Sequence, residues 1–231
     1  MAELHACESP YFDRVKIDSE VRDNQHREII GGLWSEIGTL QFEFLRERGL
    51  RPNDKLIDVG CGPLRGGIHF VRYLNPGHYF GTDINKSLLD AGYDREIVPL
   101  DLAGRLPRCN LIEMHDFAFD SIHQTFDFAL AQSVFTHLVF NNIRQCLMRL
   151  PAVMRSGACF YATIFEAPSG GPPPVTLTHQ PGSVVTYATR DPYHYSVADM
   201  RYAIAGLPWR LEYIGDWAHP RGQKMLAFIR L

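Results

Sequence analysis

The sequence predicts an α/β fold, a mostly parallel sheet with helices on both of its faces. Three observations carry this. Short apolar runs alternate with helical stretches four times between residues 55 and 165, and strands of that kind belong to parallel sheets covered on both sides. The first run empties into a glycine-rich turn, Asp58-Val-Gly60-Cys-Gly62-Pro-Leu-Arg65-Gly66-Gly67. The 231 residues are 45% apolar and 21% charged, a globular balance that excludes extended disorder.

Residues 10–52 read as helical. Ile30, Leu33, Trp34, Ile37, Leu40 and Phe44 recur at three- and four-residue spacing and make one apolar face; Gly49 and Pro52 end the stretch. Gly31-Gly32 reads as a hinge before this helix or a kink at its start. An N-terminal helical cap is therefore expected over 1–52, ahead of a main domain over 53–231. Leu56–Val59 is a short buried strand. Ile68, Phe70, Val71 and Leu74 mark a helix that Asn75-Pro76-Gly77 stops. His78–Asp83 is the second strand, Leu88, Leu89 and Ala91 the next helix, and Asn110–Met114 and Phe126–Ala131 the third and fourth strands. Val139, Ile143, Cys146, Leu147 and Leu150 place a helix before a strand at Ala158–Phe165. The alternation then stops. Residues 166–192 hold 6 of the 15 prolines, and Val175–Thr178 and Val184–Tyr187 flank Pro181-Gly182, an inserted hairpin or lid over 166–195. A helix N-capped by Ser196 runs to Gly206, and strands at Arg210–Ile214 and Lys224–Leu231 follow.

Composition narrows the function. The net charge is −3, and no segment has the basic excess that gripping a phosphate backbone requires, so no nucleic-acid partner is expected. The longest apolar run, Ala158–Phe165, is far short of the ~20 residues of a spanning helix, so no membrane partner is expected either. Cys7, Cys61, Cys109, Cys146 and Cys159 are odd in number and never closer than 13 positions. With no secretory pattern at the start of the sequence, that spacing points to reduced thiols, a cytoplasmic location and no metal.

The glycine turn lets a ligand approach the backbone, and Asp83 follows Gly60 by 23 residues at the end of the next strand. A carboxylate there accepts hydrogen bonds from both hydroxyls of a ribose, so the pair is a nucleotide-binding signal. Together with Gly81-Thr-Asp83-Ile-Asn85, His115-Asp116-Phe117 and the run from Phe126 through Gln132-Ser133 to Phe135-Thr-His137-Leu, it resembles the motif series of class I S-adenosylmethionine-dependent methyltransferases over residues 52–165. The resemblance implies a Rossmann-like three-layer sandwich, with a seven-stranded sheet whose last strand is antiparallel. It implies S-adenosyl-L-methionine as cofactor and S-adenosyl-L-homocysteine as product. Gly60 and Gly62, with Cys61, Pro63 and Arg65 of the same turn, would line the methionine moiety, and Asp58 would sit near its amino group or sulfonium. Asp83 would hold the ribose, with Ile84 against the adenine and Asn85 a further cofactor contact. Asp116 would bind the adenine amino group and the Phe117 backbone the ring. Gln132 and Ser133 would lie beside the carboxylate or sulfur. Leu64 stands where the family carries a third glycine, so the local contact there differs. Arg65 is open to a second role, on an anionic substrate or a nearby carboxylate.

Methyl transfer to a hydroxyl needs a base. His137, after the fourth strand, is the first candidate, with capping of the next helix or packing beside the cofactor as its other role. His194, in Pro192-Tyr-His-Tyr-Ser196, is the second, with ordering of the helix start as its other role. His219 falls in a segment that also reads as a plain turn. Tyr11, Trp34, Phe135, His194 and Tyr195 are the candidate acceptor contacts, although Trp34 also reads as an ordinary core residue. The expected activity is methyl transfer to a small-molecule acceptor, at oxygen. Two alternatives stay open: a nicotinamide-dependent oxidoreductase, since the glycine turn and ribose acid serve that class too, and a non-catalytic cofactor-binding partner subunit.

Overall fold

The computed structural model describes residues 9–172 and 174–231. Cys7 and the first eight residues of the expected cap lie outside them. Strands β1 (Leu56–Val59), β2 (Tyr79–Asp83), β3 (Leu111–Glu113), β4 (Phe126–Ala131), β5 (Met154–Glu166), β9 (Trp209–Gly215) and β10 (Lys224–Arg230) form one sheet in the order β3-β2-β1-β4-β5-β10-β9. β1, β2, β3, β4 and β5 pair in parallel, and β10 is antiparallel to both its neighbours. The path of seven strands with an antiparallel last strand is thus as the sequence implies, and one further short strand adds to it.

β1 is buried on both faces, and its alternation divides the core in two. Ile57 and Val59 join Phe80, Phe126, Phe160 and Phe228 on one face. Leu56 joins Phe70, Tyr79, Leu130 and Tyr161 on the other. Chain order reverses across β1, with β2 on one side and β4 on the other. In open α/β sheets the crevice beyond the carboxyl ends at such a switch point is where ligands bind.

The N-terminal region is not one helix. A short turn at Pro10–Phe12 leads into α1 (Arg14–Arg22), α2 (His26–Ile29) and α3 (Trp34–Glu47). Gly31 and Gly32 have φ of 86° and 63°, and Leu33, the N-cap of α3, is left-handed as well. Ile30 and Leu33 therefore lie outside α3, on a connection of opposite hand. Helices α4 (Gly67–Tyr73) and α5 (Lys86–Ala91) follow β1 and β2, and α5 continues as a π-helical turn, Gly92–Ile97, that the apolar spacing did not predict. α6 (Phe140–Arg149) follows β4.

β6 (Thr176–His179) and β7 (Val184–Tyr187) form the expected antiparallel hairpin. β8 (His194–Tyr195) then extends the sheet beside the end of β5, and α7 (Val197–Ala203) opens on a capping box of Ser196 and Asp199. Among the described residues no helix is long and apolar enough to cross a membrane.

Candidate active site

The turn after β1 and the ends of β2 and β4 surround a cavity that is open to solvent on one side. Gly60 and Gly62 have φ of 69° and 53°. At Gly60 a Cβ would lie 2.5 Å from Val134 Cγ2, so the turn requires glycine both for its hand and for its space.

Asp83 closes this turn. Its Oδ2 accepts from the Gly62 N–H at 2.9 Å and its Oδ1 from the Asn85 N–H at 2.8 Å. Burial raises its pKa to about 6, against the pull of these bonds. Each oxygen keeps a further acceptor position. Asp58 also lines the cavity and accepts from Tyr79 Oη at 2.8 Å; burial raises it to about 7.

The opposite wall is a buried polar network. Arg65 donates from Nη1 to the carbonyls of Ile30 (3.2 Å) and Gly32 (2.9 Å), and from Nη2 to Gln132 Oε1 (2.9 Å). Its Nε is buried without a partner, and burial lowers its pKa to about 10. Gln41, a polar residue on the apolar face of α3, donates to the same Gln132 oxygen at 3.2 Å. Ser133, left-handed at φ 62°, donates its N–H to Thr163 Oγ1 at 2.7 Å.

At the rim, His137 Nδ1 lies 2.6 Å from Asp191 Oδ1. The carboxylate is buried and accepts only, so in the neutral ring Nδ1 carries the proton and Nε2 keeps its lone pair. Nε2 makes no hydrogen bond among the described residues. The Tyr11 ring stands edge-on to His137 at 4.9 Å, and burial pushes its hydroxyl up to about 12, so it stays protonated. Ser9, Tyr11 and Phe12 line the cavity from the N-terminal side.

Asp58, Gly60, Cys61, Gly62, Arg65, Asp83, Ile84, Asn85, Phe117, Gln132, Ser133, His137 and Tyr11 thus meet around one space. Cys61 contributes backbone, since its side chain packs in the apolar core. Six expected residues lie elsewhere. Pro63 does not line the cavity and instead backs onto Gly92. Asp116 is exposed, pairs with Arg149 at 3.5 Å and accepts from the Ala118 N–H. Phe135 is fully buried against Phe160 and Phe228. Trp34 packs under the Arg27 guanidinium. Tyr195 donates to the Leu138 carbonyl. His194 has both ring nitrogens engaged, Nδ1 with Thr186 Oγ1 (2.8 Å) and Nε2 with the Pro174 carbonyl (3.0 Å), so it fastens the hairpin and has no free nitrogen for catalysis. His219 lies behind Gln132, buried and pushed down to about 3 by burial.

Sequence reasoning missed Met114 and His115, which line the cavity where Asp116 was expected, and it missed Asp191. His115 shares the quoted motif with Asp116, so the signal was present but assigned to its neighbour. Asp191 carries no local signal, being 54 residues from its partner.

No family model matches the chain. Among solved structures, the chain is similar to magnesium protoporphyrin IX methyltransferase (ChlM) from Synechocystis PCC 6803 with bound S-adenosylmethionine. The TM-score is 0.62 at 15% identity, over 95% of this chain and 96% of that one. It is similar also to the pyocyanin biosynthetic protein PhzM (0.63, 14%, over 100% and 70%). A third is the glycopeptide N-methyltransferase MtfA complexed with S-adenosylhomocysteine (0.60, 12%, over 84% and 90%). The chain therefore has the class I S-adenosylmethionine-dependent methyltransferase fold.

Proposed function

We propose that this chain transfers a methyl group from S-adenosylmethionine to a small-molecule acceptor, at a hydroxyl oxygen, with His137 as general base. The observation that carries the reading is the single cavity shared by the glycine turn, Asp83 and the His137–Asp191 pair. The donor set fits the cofactor. Asp83 is pinned by two backbone N–H groups with acceptor positions to spare, which suits a ribose diol. Arg65 has a buried N–H without a partner beside the turn, which suits a carboxylate. Ile84 and Phe117 offer apolar surface for the adenine, in place of the hydrogen bond expected from Asp116.

When bound, the cofactor supplies a methyl already activated on a sulfonium. The protein's work is alignment, worth several kcal/mol and up to ~7–11 in the best cases, and exclusion of water by the segment carrying Ser9, Tyr11 and Phe12. An acceptor oxygen displacing the thioether from that methyl would give up its proton to His137 Nε2, and the S–CH3 bond electrons would return to sulfur in S-adenosylhomocysteine. Asp191 holds the ring in the tautomer that leaves this nitrogen free and stabilises the cation that results. The fold leaves the methylated atom open, since one of the similar structures is an N-methyltransferase; the free Nε2 at the rim is what favours oxygen.

The test is release of S-adenosylhomocysteine by the full chain across a panel of phenols and alcohols. A hydroxyl acceptor is expected to turn over, and His137→Ala to slow it by ~10²–10⁴-fold with S-adenosylhomocysteine affinity kept within a few-fold. Loss of that affinity would recast His137 as a cofactor contact. Cofactor binding with no turnover in any member of the panel would favour a partner subunit.

A further inference from the structure

We infer that the acceptor occupies a second hollow, adjoining the first beneath the N-terminal helices, and that it carries a protonated amine remote from the hydroxyl. This rests on the methyltransferase reading above and names the substrate class of the same site. The hollow is bounded by the turn at Pro10–Phe12, α1, α2 and His137. Tyr11 and His137 are the two residues that line both hollows. Their rings stand edge to face. A molecule in the second hollow therefore meets His137, which also lines the first, where the proton must be taken.

The lining specifies the chemistry. Ile17 and Ile29 give apolar surface for a ring. The charged residues are Lys16, Glu20 and Glu28. Lys16 Nζ approaches Glu20 Oε1 at 3.9 Å and balances it. Glu28 has no ion-pair partner among the described residues. Its neighbour Arg27 is committed to Glu96 through two hydrogen bonds of 2.7 Å, and His26 points to the same carboxylate at 2.7 Å. Among the described residues the lining thus carries two carboxylates against one lysine, and Arg27, which also feels Glu28, is hydrogen-bonded to Glu96. An ammonium is attracted there. An acceptor bearing a carboxylate or phosphate meets two carboxylates and a single lysine that is already paired.

The test is calorimetry on the full chain saturated with S-adenosylhomocysteine, using two probes of the same ring and similar length but opposite charge, tyramine and phloretate. Tyramine is expected to bind about tenfold tighter, the scale of one or two partly exposed charge contacts. In Glu28→Gln that preference is expected to fall at least about threefold. The S-adenosylhomocysteine titration of each variant reports that it is folded, Glu28 being exposed. Equal binding of the probes, preference for phloretate, absence of tyramine binding, or a preference unchanged in Glu28→Gln would each overturn the inference while leaving the methyltransferase reading intact. Failure of S-adenosylhomocysteine to bind the wild-type chain would overturn both.

Discussion

Asp83 accepts two backbone hydrogen bonds in a site whose burial opposes its charge. Removing it in Asp83→Ala is expected to weaken S-adenosylhomocysteine by roughly 1–3 kcal/mol, the scale of charge-assisted bonds lost; calorimetry showing unchanged affinity would remove the ribose assignment. The raised pKa also fixes a pH dependence. Because the folded value, about 6, lies above the ordinary carboxylate range, the stability associated with the protonated group is full at acidic pH. It is lost as pH rises through about 6. Ligand affinity runs the other way, since only the carboxylate accepts from both hydroxyls. Across that window the affinity of the wild-type chain should climb while this residue's contribution to apo stability falls. In Asp83→Asn the rise centred near pH 6 should be lost, leaving only the dependence that Asp58 sets near 7. A wild-type affinity that declines with pH would contradict the assignment.

Asp191 calls for a different readout, because it acts through His137. Asp191→Asn is expected to lower kcat while acceptor KM and S-adenosylhomocysteine affinity stay within a few-fold; steady-state kinetics at saturating cofactor would show it, and a change confined to KM would contradict it. The misassignment of Asp116 has a local physical cause. The backbone is left-handed at Phe117, with φ of 57°, and in this bend Asp116 faces Arg149 while His115 and Phe117 line the cavity. Spacing identifies the bend but not which of three adjacent side chains turns inward.

Elements were legible wherever a local pattern set them. Leu56–Val59 and Phe126–Ala131 are strands because short apolar runs are flanked by turns, and α7 begins at Ser196 because its capping box is written into four residues. The π-helical turn after α5 was not legible. It places Glu96 against His26 and Arg27, about 70 positions away, and periodicity does not carry such partners. The hairpin was legible, but the role of His194 was not, since Thr186 and Pro174 meet it only once the chain has folded back. Both bonds of His194 are lost in His194→Ala, with Thr186 and the Pro174 carbonyl left partly unanswered. Stability is expected to drop by about 1–3 kcal/mol in chemical denaturation, with S-adenosylhomocysteine affinity kept. Unchanged stability with lost turnover would return His194 to the chemistry.

Across the whole molecule, the glycine turn at the end of the first strand and the acid at the end of the second marked the cavity's place. The particular contacts at its rim were not legible. Three contacts assemble the rim from distant parts of the chain: Tyr11 on His137, Asp191 on His137, and Arg65 on the Ile30 and Gly32 carbonyls. Each joins parts of the chain more than thirty positions apart, and none leaves a trace in composition or spacing. The glycine turn is the point on which everything else depends. A methyl group at residue 60 would be forced onto Val134 in a left-handed backbone, so Gly60→Ala is expected to lose cofactor binding together with stability, read by thermal unfolding with and without S-adenosylhomocysteine. An unchanged ligand-induced shift in Tm would contradict that role.

The most direct test of the central claim is a calorimetric titration of the wild-type chain with S-adenosylhomocysteine and, separately, with NAD. One equivalent of S-adenosylhomocysteine is expected to bind, with no heat from NAD beyond dilution. Binding of NAD without S-adenosylhomocysteine would mean that the turn at Gly60 and the carboxylate of Asp83 hold a different nucleotide.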